Sequence, residues 1–338
     1  GGWLPEERWD AGGEEAARNQ IRVLQFPPVE ACRNRRLLLH SLGDRKSGWG
    51  MGSMVHALAA ALSIAVREQR TLVLPEDDQW WYAPEECRPK GFGCYFEALS
   101  SCSERDSRNI VLSSALMGGA QQARSEDLLF IPAAFRARGL LWWRAHLLAA
   151  IWHPRAHLLQ HVSQRRAALG WPAPPPPGPP GSSAPPPPAV VAMHVRRGDK
   201  GGGGRAGRLV VDMPSYLAAL DEVRLLAGAR HVYVAGDDAE TVAEVVAAAR
   251  ARGMVAMVDE EESRTATDNS AIMLLSHKVN ITRYAFDAVT NVELLSSGTH
   301  LIGTFGSHLS RLAHEVALAR NASRAPPVTL DVLWFANP

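Results

Sequence analysis

A chain of 338 residues with 46% apolar and 21% charged side chains has material for two domains of about 150 residues each, which excludes wholesale disorder. Its formal net charge of +1 argues against a dedicated nucleic-acid binder, in which basic residues would be in large excess. The longest apolar run, 54–66, is too short to span a bilayer and contains His56; no signal peptide opens the chain, which starts at Gly1-Gly2 as a trimmed piece would.

In chain order, Arg36–Leu42 reads as a strand and Gly48–Gly52 (GWGMG) as a loop. Ser53–Arg67 follows with helical apolar spacing and Ser53 as its N-cap. Thr71–Leu74, Ile110–Ser113 and Leu128–Pro132 read as short buried strands, and Trp142–Trp152 and Arg155–Leu169 as helices separated at Pro154. The stretch Trp171–Ala189 holds eleven of the 23 prolines. It cannot donate to a helix or sheet, so an exposed polyproline II linker or insertion is expected. Beyond it the alternation is regular. Strands are predicted at Val190–Val195, Val232–Ala235, Val255–Val258 and His300–Thr304, and helices at Ser215–Leu226, Ala239–Ala251, Ala285–Ser297 and Ser307–Arg320. Strands separated by helices imply right-handed crossovers and a parallel sheet, with ligands beyond the strands' carboxyl ends. The division expected is an α/β lobe over 1–170, the proline tract over 171–189, and a Rossmann-type lobe over 190–338.

Cys32, Cys87, Cys94 and Cys102 form no CxxC pair, so a structural zinc site is not expected. Three pairings into two disulfides are possible, and Cys87 with Cys94 plus Cys32 with Cys102 is preferred; four reduced cytosolic thiols are the alternative. The sequons Asn280-Ile-Thr and Asn321-Ala-Ser fit a secretory compartment.

Four loops at strand ends carry candidate chemistry. Gly48, Gly50 and Gly52 stand at a strand-to-helix turn where backbone N–H groups approach a phosphate, but a dinucleotide fingerprint needs glycine at Ser53, which makes a NAD enzyme remote. His194, Arg196, Arg197, Asp199 and Lys200 cluster after a strand; paired guanidiniums suit a diphosphate, while a solvated basic turn is the plain alternative. Asp237 and Asp238 either cap the next helix or hold one of those arginines. Thr304, Phe305, Gly306 and Ser307 precede the helix carrying Arg311 and suit a phosphate, or an ordinary Ser cap.

HVRRGDK, VYVAGDD and LLSSGTHLIGTFGSHLSRLAHE resemble the donor-binding signatures of the α1,6-fucosyltransferase family. Upstream, the segment from CRNRRLLLHSL to REQRTLVL is similar to that family's glycine-rich loop and helix, LWWRAHLLAAIWHPRAHL to its Trp-Trp helix pair, and TLDVLWF to its closing segment. The ordered set spans roughly 30–335. The resemblance implies a GT-B-like pair of Rossmann-type lobes with a nucleotide-sugar cleft between them. It implies an inverting, metal-independent transferase that moves fucose from GDP-fucose to a GlcNAc hydroxyl, O6 in an α1,6 linkage, of an N-glycan or chitooligosaccharide, with no cofactor. It places Arg196 and Ser307 on the donor β-phosphate, His194 and Asn291 at guanine, Tyr82 and Gly50 beside the nucleotide, and Lys200 near the reaction centre. It also fits the Cys32–Cys102 disulfide. Further implications are Golgi or secretory-lumen localisation, an oligosaccharide or glycoprotein acceptor, and a membrane link only through a segment outside this chain.

Three departures accompany the resemblance. Asn291 stands where the family holds Asp, and an amide has one acceptor oxygen where a carboxylate can take both guanine N1–H and N2–H. Asp287, one turn earlier, is a possible compensation. Gly201–Gly204 stands where a Glu base is found, which leaves Asp212 as the nearest downstream carboxylate. The family's C-terminal SH3-like domain has no counterpart before Pro338. A transferase with another sugar or acceptor, and an inactive nucleotide- or glycan-binding protein, are the alternatives.

Overall fold

The computed structural model describes residues 11–43, 50–113, 129–173, 187–197, 210–264, 279–320 and 325–335. Two parallel sheets organise them, a GT-B-like pairing of α/β units. In the first unit α1 (Ala11–Gln25) precedes β1 (Leu37–Leu39), α2 (Met51–Glu68), β2 (Thr71–Val73) and β3 (Ile110–Leu112), with strand order β2-β1-β3. Leu37 pairs with Thr71 on one side and Ile110 on the other. α2 is apolar all round and is buried from Met51 to Val66, as expected of a helix enclosed by its neighbours. Its N-cap is Gly50, not Ser53, which lies inside the first turn. The strand expected at Leu128–Pro132 does not form among its described residues: Pro132 caps a 3₁₀ helix, Ala133–Arg138. α3 (Leu140–Ile151) and α4 (Ala156–Ala168) then flank Pro154.

Both disulfides are present. Cys32 joins Cys102 with a Cα–Cα separation of 5.4 Å, and Cys87 joins Cys94 at 6.0 Å.

The second unit holds β4 (Val190–Val195), α5 (Met213–Ala227), β5 (His231–Gly236), α6 (Ala239–Ala251), β6 (Val255–Val258), α7 (Ile281–Ser297), β7 (His300–Gly303), α8 (His308–Arg320) and β8 (Val328–Thr329). All its strand pairs are parallel, in the order β6-β5-β4-β7-β8. Alternation along β4 explains the two layers. Val191, Met193 and Val195 enter the core under α5 and α6, while Val190 and Ala192 enter the core with Leu294, Leu295 and Ala313 of α7 and α8. α7 and α8 also turn Ala285, Val289, Val292, Leu312 and Val316 into the core of the first unit. These two helices therefore lie between the sheets and fix the first unit against the second.

Candidate functional site

The order of the second sheet reverses between β4 and β7, the switch point at which open α/β sheets leave a crevice. Arg196 and Arg197 follow β4, Thr304–Ser307 follow β7, and Asp237 follows β5, so three of the four candidate loops meet at this edge.

Asp237 ties two of these loops together. It forms an ion pair with Arg196, and its Oδ1 accepts the Arg197 backbone N–H at 2.9 Å. Asp238 instead caps α6 by accepting from Thr241 N at 2.7 Å, bonds that hold its carboxyl below the ordinary range. Capping and orientation thus divide between neighbouring carboxylates. His194 is buried at the end of β4, its Nδ1 2.7 Å from Ser310 Oγ on α8; burial brings its pKa down to about 4, so the imidazole is neutral at physiological pH. Gly303 permits this contact, since a Cβ there would meet Ser310 Oγ at 2.9 Å.

The turn after β7 departs from expectation. Asp331, on the segment after β8, accepts from Phe305 N at 2.7 Å and Gly306 N at 2.8 Å. A carboxylate of the chain already occupies N–H groups expected to meet a phosphate, and Phe305 and Thr304 are buried. Ser307 immediately precedes α8, its N–H donating to Thr304 O at 3.2 Å.

The N-termini of α2 and α8 touch. A Cβ on Gly52 would stand 3.1 Å from the His308 carbonyl carbon, so glycine is what lets the two helices approach. Each terminus carries about half a positive charge, and their convergence joins the two units at one anion-favouring point. Behind it lies a buried chain of polar groups that sequence reasoning missed. His56 Nδ1 is 2.7 Å from Gly52 O and 3.2 Å from His308 Nδ1, and His56 Nε2 is 2.8 Å from Glu315 Oε2. Arg311 donates from Nη2 to His308 Nδ1 and from Nη1 to Phe335 O, both at 2.8 Å.

Other expectations need correction. Tyr82 is fully buried, packed against Trp80 and Trp81 and stacked on Tyr284 at 6.1 Å, so its ring belongs to an aromatic core instead of flanking a ligand. Asn291 is buried on α7 with its amide engaged: Oδ1 accepts from Tyr233 Oη at 2.6 Å and Nδ2 donates to Glu262 Oε1 at 2.5 Å. Asp287 is buried and engaged within the chain, its oxygens accepting from Ser263 N at 2.8 Å and Arg283 Nε at 3.0 Å. Glu262 is the carboxyl beside Asn291, and burial raises its pKa to about 8. Asp212 caps α5, accepting from Ser215 N at 3.1 Å; those Ser215 hydrogen bonds lower its pKa, which disfavours proton abstraction. Asp199, Lys200 and Gly201–Gly204 lie outside the described residues, as do Gly48 and Asn321. Gly50 is the N-cap of α2. Among the described residues no group of three or more His, Cys, Asp or Glu could hold a metal ion, and no helix is long and apolar enough to cross a membrane.

No family model matches the chain. An α-(1,6)-fucosyltransferase of Drosophila melanogaster is 25% identical over 342 residues, covering 93% of this chain and 48% of its own length. The chain thus spans about half of that relative. Among solved structures, the NodZ α-1,6-fucosyltransferase soaked with GDP-fucose is 14% identical, covering 83% of this chain and 92% of its own, with a TM-score of 0.43. POFUT1 in complex with GDP-fucose is 13% identical, covering 89% and 99%, with a TM-score of 0.48. The sequence match, spread over nearly the whole chain, makes the chain similar to an α-(1,6)-fucosyltransferase.

Proposed function

We propose that the chain is the catalytic part of a fucosyltransferase that uses GDP-fucose, with the donor bound at the β4/β7 switch point of 190–338 and the acceptor approaching from 1–170. The observations that carry this are Arg196, fixed by Asp237 at the carboxyl end of β4, and the contact of the N-termini of α2 and α8, which belong to different units. A leaving diphosphate gains negative charge as the sugar–phosphate bond breaks. Positive groups already oriented at that place stabilise the transition state more than the ground state. In the inverting step, an acceptor hydroxyl, O6 of GlcNAc, bonds to the anomeric carbon on the face opposite GDP. The C–O bond to the β-phosphate breaks, its electron pair leaves with GDP, and the hydroxyl proton passes to a base. Lys200 is assigned to assist that base. The step is read as metal-independent, with Arg196, Ser307 and the helix termini neutralising the diphosphate.

Two disulfides support an oxidising compartment, in keeping with a Golgi or secretory-lumen enzyme acting on N-glycans. Calorimetric titration with GDP, ADP and UDP tests the donor assignment. GDP binding that is lost in Arg196→Ala is expected; a preference for ADP or UDP would refute it. Asn291 favours a second reading, a donor with a different base, because its single acceptor is already taken by Tyr233. The same titration decides between them.

A further inference from the structure

Asn280 opens the sequon Asn280-Ile281-Thr282 and is also the N-cap of α7. Its Oδ1 accepts from Arg283 N at 2.8 Å, and its backbone carbonyl accepts from Tyr284 N at 2.9 Å. The cap therefore uses only the oxygen of the side-chain amide. Nδ2, the other half of that amide, makes no hydrogen bond among the described residues, and Asn280 is exposed. Its neighbours behave oppositely. Val279, Ile281 and Tyr284 are partly buried against the core of the first unit. Val279 precedes the cap and Tyr284 stands four places after it, the two positions of a hydrophobic staple, which sets how the chain enters a helix. These inward anchors hold the entry of α7 and leave Asn280 facing solvent.

An N-linked glycan needs what this position supplies. The carbohydrate is bulky and belongs on a surface. The acceptor triplet needs a hydroxyl residue two places on and no proline between, and Ile281 and Thr282 meet both conditions. Linkage replaces one of the two Nδ2 hydrogens. The amide stays neutral and Oδ1 keeps its lone pairs, so the modified side chain still caps the helix. The Cys32–Cys102 and Cys87–Cys94 disulfides are of the kind kept in an oxidising compartment, where this modification is made.

We propose that Asn280 is an N-glycosylation site whose amide does two jobs, Nδ2 carrying the glycan while Oδ1 caps α7. The proposal rests on the oxidising-compartment reading above and not on the donor site. In the transfer, Nδ2 bonds to the anomeric carbon of an oligosaccharide carried on a lipid diphosphate. The bond from that carbon to the phosphate oxygen breaks, and its electron pair leaves with the lipid diphosphate. One Nδ2 proton passes to a base of the transferring enzyme.

The test secretes the full chain from a eukaryotic host as wild type, Asn280→Asp and Asn280→Ala. Peptide mapping by mass spectrometry, before and after amidase release of glycans in heavy-oxygen water, reads the modification at residue 280. The wild-type peptide is expected to carry a glycan, and release should leave a heavy-oxygen-labelled aspartate there. Neither variant should be modified at 280. Released wild type then has the same residue at 280 as Asn280→Asp, and the two should melt together, since Asp caps as well as Asn. Asn280→Ala loses the cap as well and should melt about 2 °C lower than Asn280→Asp. An unmodified Asn280 in folded, secreted wild type with both disulfides formed would overturn the proposal and leave the compartment reading standing. Asn280→Ala melting with Asn280→Asp would overturn the division of the amide between glycan and cap. Should a variant fail to fold, the wild-type peptide alone decides the modification. Glycosylated protein that transfers no fucose would refute the proposed activity and leave this proposal standing.

Discussion

Replacing Asp237 with alanine removes the counter-ion of Arg196 and the acceptor of the Arg197 N–H in one step. Hydrogen bonds to charged groups contribute about 1.5–3 kcal/mol each. The Arg196 side chain is 31% exposed, so water recovers part of the ion pair, and that bond is put at about 1 kcal/mol. The Arg197 N–H bond, to a carboxylate only 11% exposed, falls in the ordinary range. The loss in stability is therefore about 2.5–4 kcal/mol. The larger effect is on turnover. In the proposed reaction Arg196 without Asp237 would have to be ordered anew for each transition state, and loss of one preorganised donor to a developing anion costs roughly 10²-fold or more in kcat. Asp237→Ala is expected to lower kcat/KM by about 10–100-fold, and Asp237→Asn, which still accepts from Arg197, by less. Steady-state kinetics on a double-mutant cycle with Arg196→Ala is the assay. If Asp237 acts through Arg196, the double variant is no worse than Arg196→Ala alone. Fully additive losses, or wild-type kinetics in Asp237→Ala, would refute the reasoning.

Three further outcomes follow from named contacts. Burial raises the Glu262 carboxyl from 4.5 to about 8, so the folded state holds this proton more tightly than the unfolded state; its contribution is full below about pH 4.5 and is lost as pH rises through about 8. Urea denaturation between pH 5 and 9 should show a stability decline that Glu262→Gln flattens, and an unchanged slope would contradict it. The Cys32–Cys102 bridge closes a sequence separation of 70 and Cys87–Cys94 one of 7, so chain entropy assigns about 4 kcal/mol to the first and about 2 to the second. Paired serine variants should rank that way in guanidinium melts, and the reverse order would show that chain entropy is not the governing contribution. Gly303→Ala should drive its Cβ against Ser310 Oγ, break the Ser310–His194 contact and weaken GDP binding; an alanine variant with wild-type affinity would remove His194 from the account.

The second unit was the more legible half. Its central strand VVAMHV is a fully buried run and three of its helices start at a capping Asp or Asn, so Val190–Val195 and Ala239–Ala251 were readable residue by residue. The cysteine pairing was legible because one pair brackets a tight loop. Adjacent Asp237 and Asp238 could not be told apart from spacing, since strand twist decides which carboxylate faces β4 and which turns back on α6. The polar chain behind the site was not legible at all. His56 and Glu315 are 259 residues apart, and only the packing of α2 against α8 brings them together. Asp331 closes the turn at Phe305 from 26 residues downstream, beyond any local capping pattern. Tyr82 was placed beside the nucleotide by the family resemblance alone, and nothing in QWWYAPEE tells a ring that stacks on a ligand from one that stacks on Tyr284.

The most direct test of the central claim is a mass-spectrometric transfer assay with GDP-fucose and GlcNAc-terminated N-glycan and chitooligosaccharide acceptors, run with and without EDTA. The account predicts an acceptor heavier by one deoxyhexose in both arms, with linkage analysis reporting O6. A protein that binds GDP yet leaves every acceptor and the donor unchanged would contradict it.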